Sequence, residues 1–394
     1  MKDFISYRKK MRILAIVSLL LCAVLAVLLV FLISDYNKKQ KELSDELFLL
    51  DIEMYEAMKN SGSYFDSDIS AADRELAEKL KNYNFYEKLK ERLQVNVLFL
   101  GNGIVQGTGV ANSNDNWVLK IVNEIETSYG TDLKGANYGK ANTDAFYGYN
   151  IMNCAPLGLV YDLVVICYGA GEDPQNFEMY YDGLLRSIKN QNSKCDIYCI
   201  IEATAEDTER VNADAVKELC DHYGGICIDM NEYFTSHSID KKKTLNGIIP
   251  NADGNIAYYN CISGLIKENL KAGRDVPANN QAYLLTSKNF DNYKYIKRAD
   301  MEKVGGSIYE VSAPGKVATL MYYKSYTSGG IIRVYINGKK VAEIDNKLET
   351  NTGGNVINFA LLDSELTGVN KIRIEVDTPD NGLNFYGVAF SGAK

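Results

Sequence analysis

The sequence predicts an α/β protein whose parallel sheet carries helices on both faces. It also predicts a transmembrane helix before this domain and an antiparallel β-sandwich after it. Three observations support this architecture. Between residues 94 and 272, short apolar runs alternate with helical segments, as in βαβ units. Between 285 and 394, short strand-like segments recur every ~8–12 residues, which is typical of a sandwich. Near the N-terminus, one apolar run continues almost without interruption.

That apolar run is Ile13–Ile33, and a helix needs about 20 apolar residues to cross a bilayer. Lysines and arginines precede the run, so the N-terminus is expected to be cytoplasmic and the rest extracytoplasmic. A cleaved signal peptide is the alternative, but no small-residue cleavage pattern follows the run. Residues 1–34 are therefore predicted to be the tail and anchor of a single-pass cell-membrane protein.

Residues 35–93 are predicted to form a helical stalk. Apolar side chains recur there at three- and four-residue steps, giving one stripe that can pack on the next domain. The stripe consists of Leu76, Leu80, Tyr83, Tyr86, Leu89 and Leu93. A dimerising coiled coil is the alternative, although the stripe is too short for several clean heptads.

Composition limits the partners and cofactors that can be expected. The net charge of −8 offers no basic face for nucleic acid, so none is expected as a partner. The eight cysteines lack zinc-finger spacing, so neither a metal nor another cofactor is expected. Cys167, Cys199 and Cys227 lie in predicted core strands, where free thiols behave as small hydrophobes.

The apolar strand Val95–Leu100 introduces the principal motif. It stops at Gly101, and Gly103 and two further glycines follow before a helical segment that begins near Asn116. A strand that enters a glycine-rich turn and then a helix brings backbone to the carboxyl edge of the sheet. Open α/β folds place their sites at that edge.

The stretch Gly101-Asn102-Gly103-Ile104-Val105-Gln106-Gly107-Thr108-Gly109 resembles block I of the SGNH (GDSL-like) hydrolases, whose sheet is flavodoxin-like. In this alignment the family's nucleophilic serine falls on Gly103. Residues 137–143 resemble block II and place Gly139 where the family uses a glycine amide for the oxyanion.

Two later stretches are similar to the remaining blocks. Residues 161–169 resemble the strand that enters block III, and the family's oxyanion asparagine then falls on Gly171. Residues 246–254 resemble block V, with the family's aspartate on Asn246 and its histidine on Ile249. The resemblance thus implies a hydrolase fold in which all four catalytic side chains are replaced.

The residues that are present at these strand ends are expected to form a pocket. Its candidate residues are Gly101, Asn102, Gly103, Gly139, Gly169, Glu172 and Asp253. Glu172, Asp173 and Asp253 are also candidates for paired acid–base chemistry. The favoured interpretation makes the first two a solvated loop and Asp253 the N-cap of the last helix.

The only histidines, His222 and His237, are interpreted as loop or helix-end residues rather than as a catalytic base. Beyond the α/β domain, residues 273–284 are polar and predict a linker. Asn337-Gly338, which separates two apolar segments of the predicted sandwich, predicts a two-residue hairpin.

The leading hypothesis is an inactive, membrane-anchored, extracytoplasmic member of this family that binds or assembles cell-envelope glycans. The family resemblance implies that ligand class, and the sandwich resembles carbohydrate-binding accessory domains. One alternative is an active esterase or acyl-transfer enzyme that uses other residues. Another is a structural partner of an active paralogue.

Overall fold

The fold is described from a computed structural model of the chain. It describes residues 83–154, 160–206, 208–277, 288–326, 329–349, 356–377 and 385–393. The predicted anchor and residues 35–82 of the predicted stalk lie outside this part of the chain. Within it, no helix is both long and apolar enough to cross a bilayer.

A five-stranded parallel sheet forms the centre of the α/β domain, as predicted. Its strands are β1 (Val95–Gly101), β2 (Leu133–Gly139), β3 (Leu163–Cys167), β4 (Asp196–Ile201) and β5 (Ile226–Asp229). Their spatial order is β2-β1-β3-β4-β5. The edge strand β2 was not among the predicted strands, because none of its residues is fully buried and it lacks an apolar run.

Helices cover both faces of the sheet. In chain order they are α1 (Phe85–Lys90), α2 (Gly103–Gln106), α3 (Trp117–Tyr129), α4 (Ala145–Cys154), α5 (Pro174–Gln191), α6 (Ala213–His222), α7 (Met230–Ser236), α8 (Lys241–Thr244) and α9 (Ala252–Ala272). Val97 and Phe99 of β1 pack towards α1, α3 and α9. Leu98 and Leu100 point the other way, towards α4, α5 and α6, as the alternation of a strand requires.

Helix α1 precedes the sheet and packs directly into its core. Asn84 and Glu87 form a capping box at its start, which satisfies backbone donors at both ends of the box. Phe85, Tyr86 and Leu89 are buried against the α3 and α9 side of the sheet. These residues lie in the predicted stalk, so the end of that segment belongs to the α/β core.

The C-terminal region is antiparallel and forms two sheets around one apolar core. Its strands are β8 (Lys294–Lys297), β9 (Glu302–Gly305), β10 (Ile308–Pro314), β11 (Val317–Lys324), β12 (Ile331–Ile336), β13 (Lys339–Asp345), β14 (Val356–Asp363), β15 (Val369–Val376) and β16 (Phe385–Ser391). The predicted hairpin at Asn337-Gly338 is confirmed. Both residues have positive φ, 51° and 81°, as a tight hairpin turn requires.

The second domain packs on the α4 side of the first. The ring of Phe359 on β14 lies edge-on to Tyr147 of α4, with 5.4 Å between centroids. Lys140, directly after β2, donates from Nζ to the Ile357 carbonyl and to Asn358 Oδ1, each at 2.7 Å. Burial lowers the pKa of Lys140 to about 8. Strand β14 thus contacts the loop that begins at the carboxyl end of β2.

Candidate functional site

The turn after β1 is built by close backbone packing. A Cβ on Gly101 would collide with the side chain of Val105 and the carbonyl of Cys167, so only glycine fits. Asn102 then caps α2, its Oδ1 accepting the Ile104 N–H at 3.0 Å. Strand β1 therefore leads into α2 at the carboxyl edge of the sheet, where the sequence placed the site.

Side chains from neighbouring elements fix α2 in position. Trp117 donates from Nε1 to the Ile104 carbonyl at 3.1 Å. Asn116 and Asn137 donate to the Val105 carbonyl at 3.2 and 3.1 Å. The last carbonyl groups of this four-residue helix have no intrahelical partner. The three side-chain donors supply hydrogen bonds to them. The backbone around Gly103 is therefore rigidly placed even though Gly103 itself offers no side chain.

The space in front of Gly103 is occupied. A Cβ built on Gly103 would lie 2.8 Å from Thr108 Oγ1 and 3.3 Å from Ile249 Cδ1. Thr108 follows α2, and its backbone N–H donates to the Gly103 carbonyl at 2.9 Å, which folds the loop back over the turn. The threonine hydroxyl thus lies directly beside the place where the resemblance puts the start of a serine side chain.

Asn246 and Ile249 belong to a small hairpin between α8 and α9. Its strands, β6 (Leu245–Asn246) and β7 (Ile249–Pro250), pair in antiparallel register so that Asn246 lies opposite Ile249. Ile249 faces the cleft, whereas Asn246 is exposed and is not part of its lining. The two positions are adjacent, but they present an amide and an apolar chain rather than a carboxylate and an imidazole.

The positions that the resemblance assigns to the oxyanion donors are altered as well. The Gly139 N–H donates to Asn137 Oδ1 at 2.8 Å, so that amide already has a partner. Gly171 has a φ of +75°, and no atom lies within 4 Å of the place where its Cβ would be. The block III loop therefore leaves open space where the family has an asparagine.

Two carboxylates hold that loop in place. Glu172 accepts the N–H groups of Gly169 and Ala145, each at 2.9 Å, which joins the end of β3 to the start of α4. Glu202, 3% exposed, accepts from the Ala170 N–H at 3.2 Å and from Asn102 Nδ2 at 3.3 Å. Burial raises the pKa of both carboxyls, that of Glu172 to about 8. Their bonds to the loop indicate a structural role.

These elements enclose a cleft of about 840 Å³ at the carboxyl edge of the sheet. Its lining comprises Asn102, Gly103, Thr108, Ala141, Asn142, Thr143, Asp144, Ala170, Gly171, Glu172, Asp173, Asn176, Phe177, Tyr180, Ile248 and Ile249. Amides, hydroxyls and two aromatic rings predominate. All charged side chains in this lining are carboxylates, and neither histidine belongs to it.

Of the predicted pocket residues, Asn102, Gly103 and Glu172 line the cleft, whereas Gly101, Gly139 and Gly169 lie behind it. Asp253 is not in the lining. It is an exposed residue in the first turn of α9, and the predicted N-cap role belongs instead to Asn251, whose Oδ1 accepts the Gly254 N–H. A sequence pattern signals an N-cap only within a residue or two, which accounts for this correction.

The side chains that sequence reasoning missed come from α5 and from the loop after β2. Asn176 and Tyr180 are on α5 and Asn142 is in that loop, far from Gly103 along the chain. The histidines lie elsewhere: His237 stacks on Tyr233, and His222 packs edge-on to Tyr223 at the end of α6. Across the described ranges, no group of three or more histidine, cysteine or acidic side chains is arranged to hold a metal.

The raised pKa of Glu172 predicts a pH-dependent stability. The folded carboxyl keeps its proton between its ordinary value of 4.5 and about 8, whereas the unfolded one loses it. The free energy of unfolding should therefore fall as the pH rises through this window. Glu172→Gln cannot ionise and cannot accept both N–H bonds. It should be less stable than wild type by about 1 kcal/mol at pH 5, and this gap should close and then reverse before pH 8, because wild type loses roughly 1.4 kcal/mol per pH unit within the window.

The stability of each variant is measured by thermal unfolding at several pH values. The fluorescence of Trp117, the single tryptophan, reports the transition because this residue is fully buried in the folded protein. Glu178→Gln, an exposed change on the same α5 helix, is the matched control and should keep the wild-type pH slope. Glu202 contributes a further part of the slope, so the Glu172 variant should flatten it without abolishing it. Parallel curves for Glu172→Gln and wild type would contradict the prediction.

No protein-family model matches the sequence. No curated protein matches it either. Among solved structures, a two-domain esterase active on acetylated mannans superposes with a TM-score of 0.60 at 15% identity, covering 81% of this chain and 95% of that one. The same type of esterase co-crystallised with mannopentaose gives a TM-score of 0.59 at 15% identity, covering 82% and 96%.

A GDSL-like lipase from Parabacteroides merdae ATCC 43184 matches 44% of this chain and 95% of its own, at 14% identity and a TM-score of 0.36. The esterase match extends beyond the α/β domain, since it covers more of the chain than that domain contains. Sheet order, the strand–turn–helix at Gly101 and the superposition agree. The chain therefore has the SGNH (GDSL-like) hydrolase fold, followed by a second, antiparallel β domain.

Proposed function

We propose that this chain binds neutral, acetylated polysaccharide in its cleft without hydrolysing it. One observation carries the proposal: Thr108 Oγ1 and Ile249 Cδ1 crowd the place that a side chain at position 103 would take, while the cleft itself stays open. A cleft of about 840 Å³ is large enough for a ligand of several sugar units. The cleft lacks the nucleophile and the general base that would attack an ester of this ligand.

Serine-type hydrolysis needs a nucleophile and a base in hydrogen-bond contact, with a third group that orients the base. Gly103 supplies no nucleophile and Ile249 no base. Asn246, exposed beside Ile249, supplies no carboxylate. These losses act together, because a triad that has lost its nucleophile or its base works little better than one that has lost all three members.

The lining supports a neutral carbohydrate as the ligand. Asn142 and Asn176 offer both donors and acceptors to sugar hydroxyls, and Tyr180 adds an aromatic ring to the lining. The acidic side chains Asp144 and Asp173 are exposed at the cleft and would repel an anionic polymer. The superposed esterase is described as active on acetylated mannans, which supports the same ligand class.

The proposal includes the location predicted from the sequence. Ile13–Ile33 would anchor the chain in the cell membrane, with the cleft on the extracytoplasmic side. Cell-envelope polysaccharide would then be the ligand within reach, and an active paralogue would be a partner that acts on the bound chain.

A second candidate function is hydrolysis by other residues. It is favoured by the exposed Thr108 hydroxyl in the cleft and by Glu172, whose pKa of about 8 suits a general acid or base. Against it, both Glu172 oxygens are already bonded to backbone N–H groups. The same experiment separates the two functions.

Binding of acetylated mannan and of chemically deacetylated mannan to the purified full chain tests the proposal by calorimetry. We expect the acetylated polymer to bind and Asn176→Ala to weaken it about fivefold, the loss of roughly one hydrogen bond. Glu178→Ala lies two residues along the same helix, is exposed and is outside the cleft lining, so it should bind like wild type.

Acetate release is measured in the same samples. Binding without acetate release supports the proposed function. Acetate release by wild type that is lost in Thr108→Val or Glu172→Gln would establish the second candidate instead. Equal binding by Asn176→Ala and Glu178→Ala would show that the ligand lies outside this cleft.

A further inference from the structure

Lys140, the residue directly after β2, is bonded to both domains. Its backbone N–H donates to the Gly101 carbonyl at 2.9 Å, which fixes it to the turn after β1. Its side chain crosses to the second domain, where Nζ donates to the Ile357 carbonyl and to Asn358 Oδ1, each at 2.7 Å. Both acceptors are on strand β14. One residue therefore connects the turn that carries Gly103 to the second domain.

The four residues that follow Lys140 belong to the cleft lining and are called the lining segment below. They are Ala141, Asn142, Thr143 and Asp144. The Ala141 N–H donates to Gln106 Oε1 at 2.7 Å, and Thr143 Oγ1 donates to the Lys140 carbonyl at 2.6 Å. The position of the Lys140 backbone thus determines where the lining segment begins.

The far end of the lining segment is connected to β14 as well. Asp144 Oδ1 accepts the Tyr147 N–H at 2.9 Å at the start of α4. The ring of Tyr147 packs against Phe359 of β14, and the Lys140 ammonium lies 5.0 Å from the centroid of the same ring. Strand β14 therefore contacts the first domain on either side of the lining segment, through Lys140 before it and Tyr147 after it.

We propose that the second domain holds the cleft in its ligand-binding shape through these two contacts, with Lys140 as the positioning residue. The inference rests on the proposed function, because it concerns the ligand affinity of the same cleft. Lys140 is not part of the cleft lining, so it acts through Asn142 and Thr143 rather than on the ligand itself.

A lining segment that is already in place lowers the cost of binding. A ligand that has to order a loose segment loses part of its interaction free energy to that ordering. Asn142 has a φ of 60°, a left-handed conformation that is uncommon for residues other than glycine. Contacts on both sides of the segment select this conformation before a ligand arrives. Because such coupling is reciprocal, a ligand in the cleft should also stabilise the contact with β14.

Hydrogen–deuterium exchange of the full chain, read out by mass spectrometry, tests this without a ligand. The double variant Asn358→Ala/Phe359→Ala alters the second domain alone, so it reaches the lining segment only through the contact with β14. Peptides that cover residues 141–147 should exchange at least about threefold faster than in wild type. Lys140→Met removes the donors from the other side of the contact and should have the same effect.

Two amides in these peptides report the position of the segment. The Ala141 N–H is bonded to Gln106 Oε1 and the Ala145 N–H to Glu172 Oε2, so both are protected only while the segment stays in place. Val369→Ala is the matched control. Val369 is 68% exposed on β15, in the sheet of the second domain that does not contain β14, so this variant should exchange like wild type.

Ligand affinity is measured for the same variants by calorimetry with acetylated mannan. The double variant and Lys140→Met should bind about fivefold more weakly than wild type, whereas Val369→Ala should bind equally well. Acetylated mannan should also slow the exchange of β14 in wild type.

Unchanged exchange of residues 141–147 in Lys140→Met and the double variant would overturn the inference, and so would faster exchange with unchanged affinity. A wild type that does not bind acetylated mannan would refute the proposed function instead, and the exchange rates would still decide whether the second domain holds the lining segment. If the double variant fails to fold, Lys140→Met decides the matter, because it leaves the core of the second domain unchanged.

Discussion

Gly103→Ser by itself is expected to leave ester hydrolysis by the full chain at the background rate. The new Cβ would meet Thr108 Oγ1 at 2.8 Å and Ile249 Cδ1 at 3.3 Å, both closer than a Cβ tolerates without movement of its neighbours. A serine forced into this space would have an apolar chain where a base is needed. Nucleophile and base act as a unit, so one without the other contributes almost nothing.

Ester hydrolysis should appear only when the space for a serine at position 103 and a general base at position 249 are restored together. Thr108→Ala removes the obstructing hydroxyl, and Ile249→His places an imidazole next to position 103. Asn246→Asp then lies directly opposite position 249 in the hairpin register, close enough to orient the ring. The fourfold variant should exceed Gly103→Ser at least about tenfold, because a positioned general base typically contributes 10²–10⁴-fold.

Adding Gly171→Asn to the fourfold variant should raise its rate of ester hydrolysis further. Its φ of +75° is a conformation that asparagine tolerates better than most residues, and the space around it is empty. An oxyanion donor is worth about 10²–10³ in kcat, so a gain of about 100-fold is expected if the amide reaches the ester oxygen.

Hydrolysis of short acetyl esters is the assay. The matched control carries Gly103→Ala with all the other substitutions and should be inactive, since it has the same Cβ without the hydroxyl. Equal rates for the serine and alanine versions would refute the assignment of Gly103 as the nucleophile position. Wild-type hydrolysis that does not change on substitution at position 103 would refute the proposed lack of activity.

Asp196→Ala is expected to lower the free energy of unfolding of the α/β domain by about 3–5 kcal/mol, the usual cost of removing one partner of a buried ion pair. Asp196 is fully buried and accepts from Arg274 Nε and Nη2 at 3.2 and 3.1 Å. It also accepts from Tyr86 Oη at 2.7 Å, which connects α1 to the start of β4. The variant leaves a largely buried guanidinium and a buried hydroxyl without this partner.

Chemical denaturation followed by Trp117 fluorescence measures the change within the α/β domain, where that residue is buried. The matched control is Asp115→Ala, which breaks an exposed pair with Lys120 in the same domain, where the side chains of Asp115 and Lys120 are 44% and 29% exposed. Exposed pairs contribute about 0–1 kcal/mol, so this variant should remain close to wild type. Equal losses in the two variants would show that the Asp196 network does not stabilise the fold as inferred.

The sequence predicted most of the architecture because strands and turns leave local patterns. The buried runs at β1, β3 and β4 contain uninterrupted apolar residues, and Asn337-Gly338 marks its hairpin with residues that tolerate positive φ. Strand β2, the short strands β8 and β9 and the half-exposed strand β10 were missed. Edge or half-exposed strands bury too few side chains to leave an apolar run.

The sequence by itself also determined what the cleft lacks, because the absence of a side chain at Gly103 or of an imidazole at Ile249 needs no structure to be seen. Only the tertiary structure decided which side chains line the cleft instead: Thr108, folded back over Gly103, and Asn176 and Tyr180 of α5. The tertiary structure also decided that Cys227 is exposed, because β5 is an edge strand, which corrects the expectation of a core thiol. A local pattern records which face of an element is buried, whereas the distance between two side chains depends on how distant segments pack.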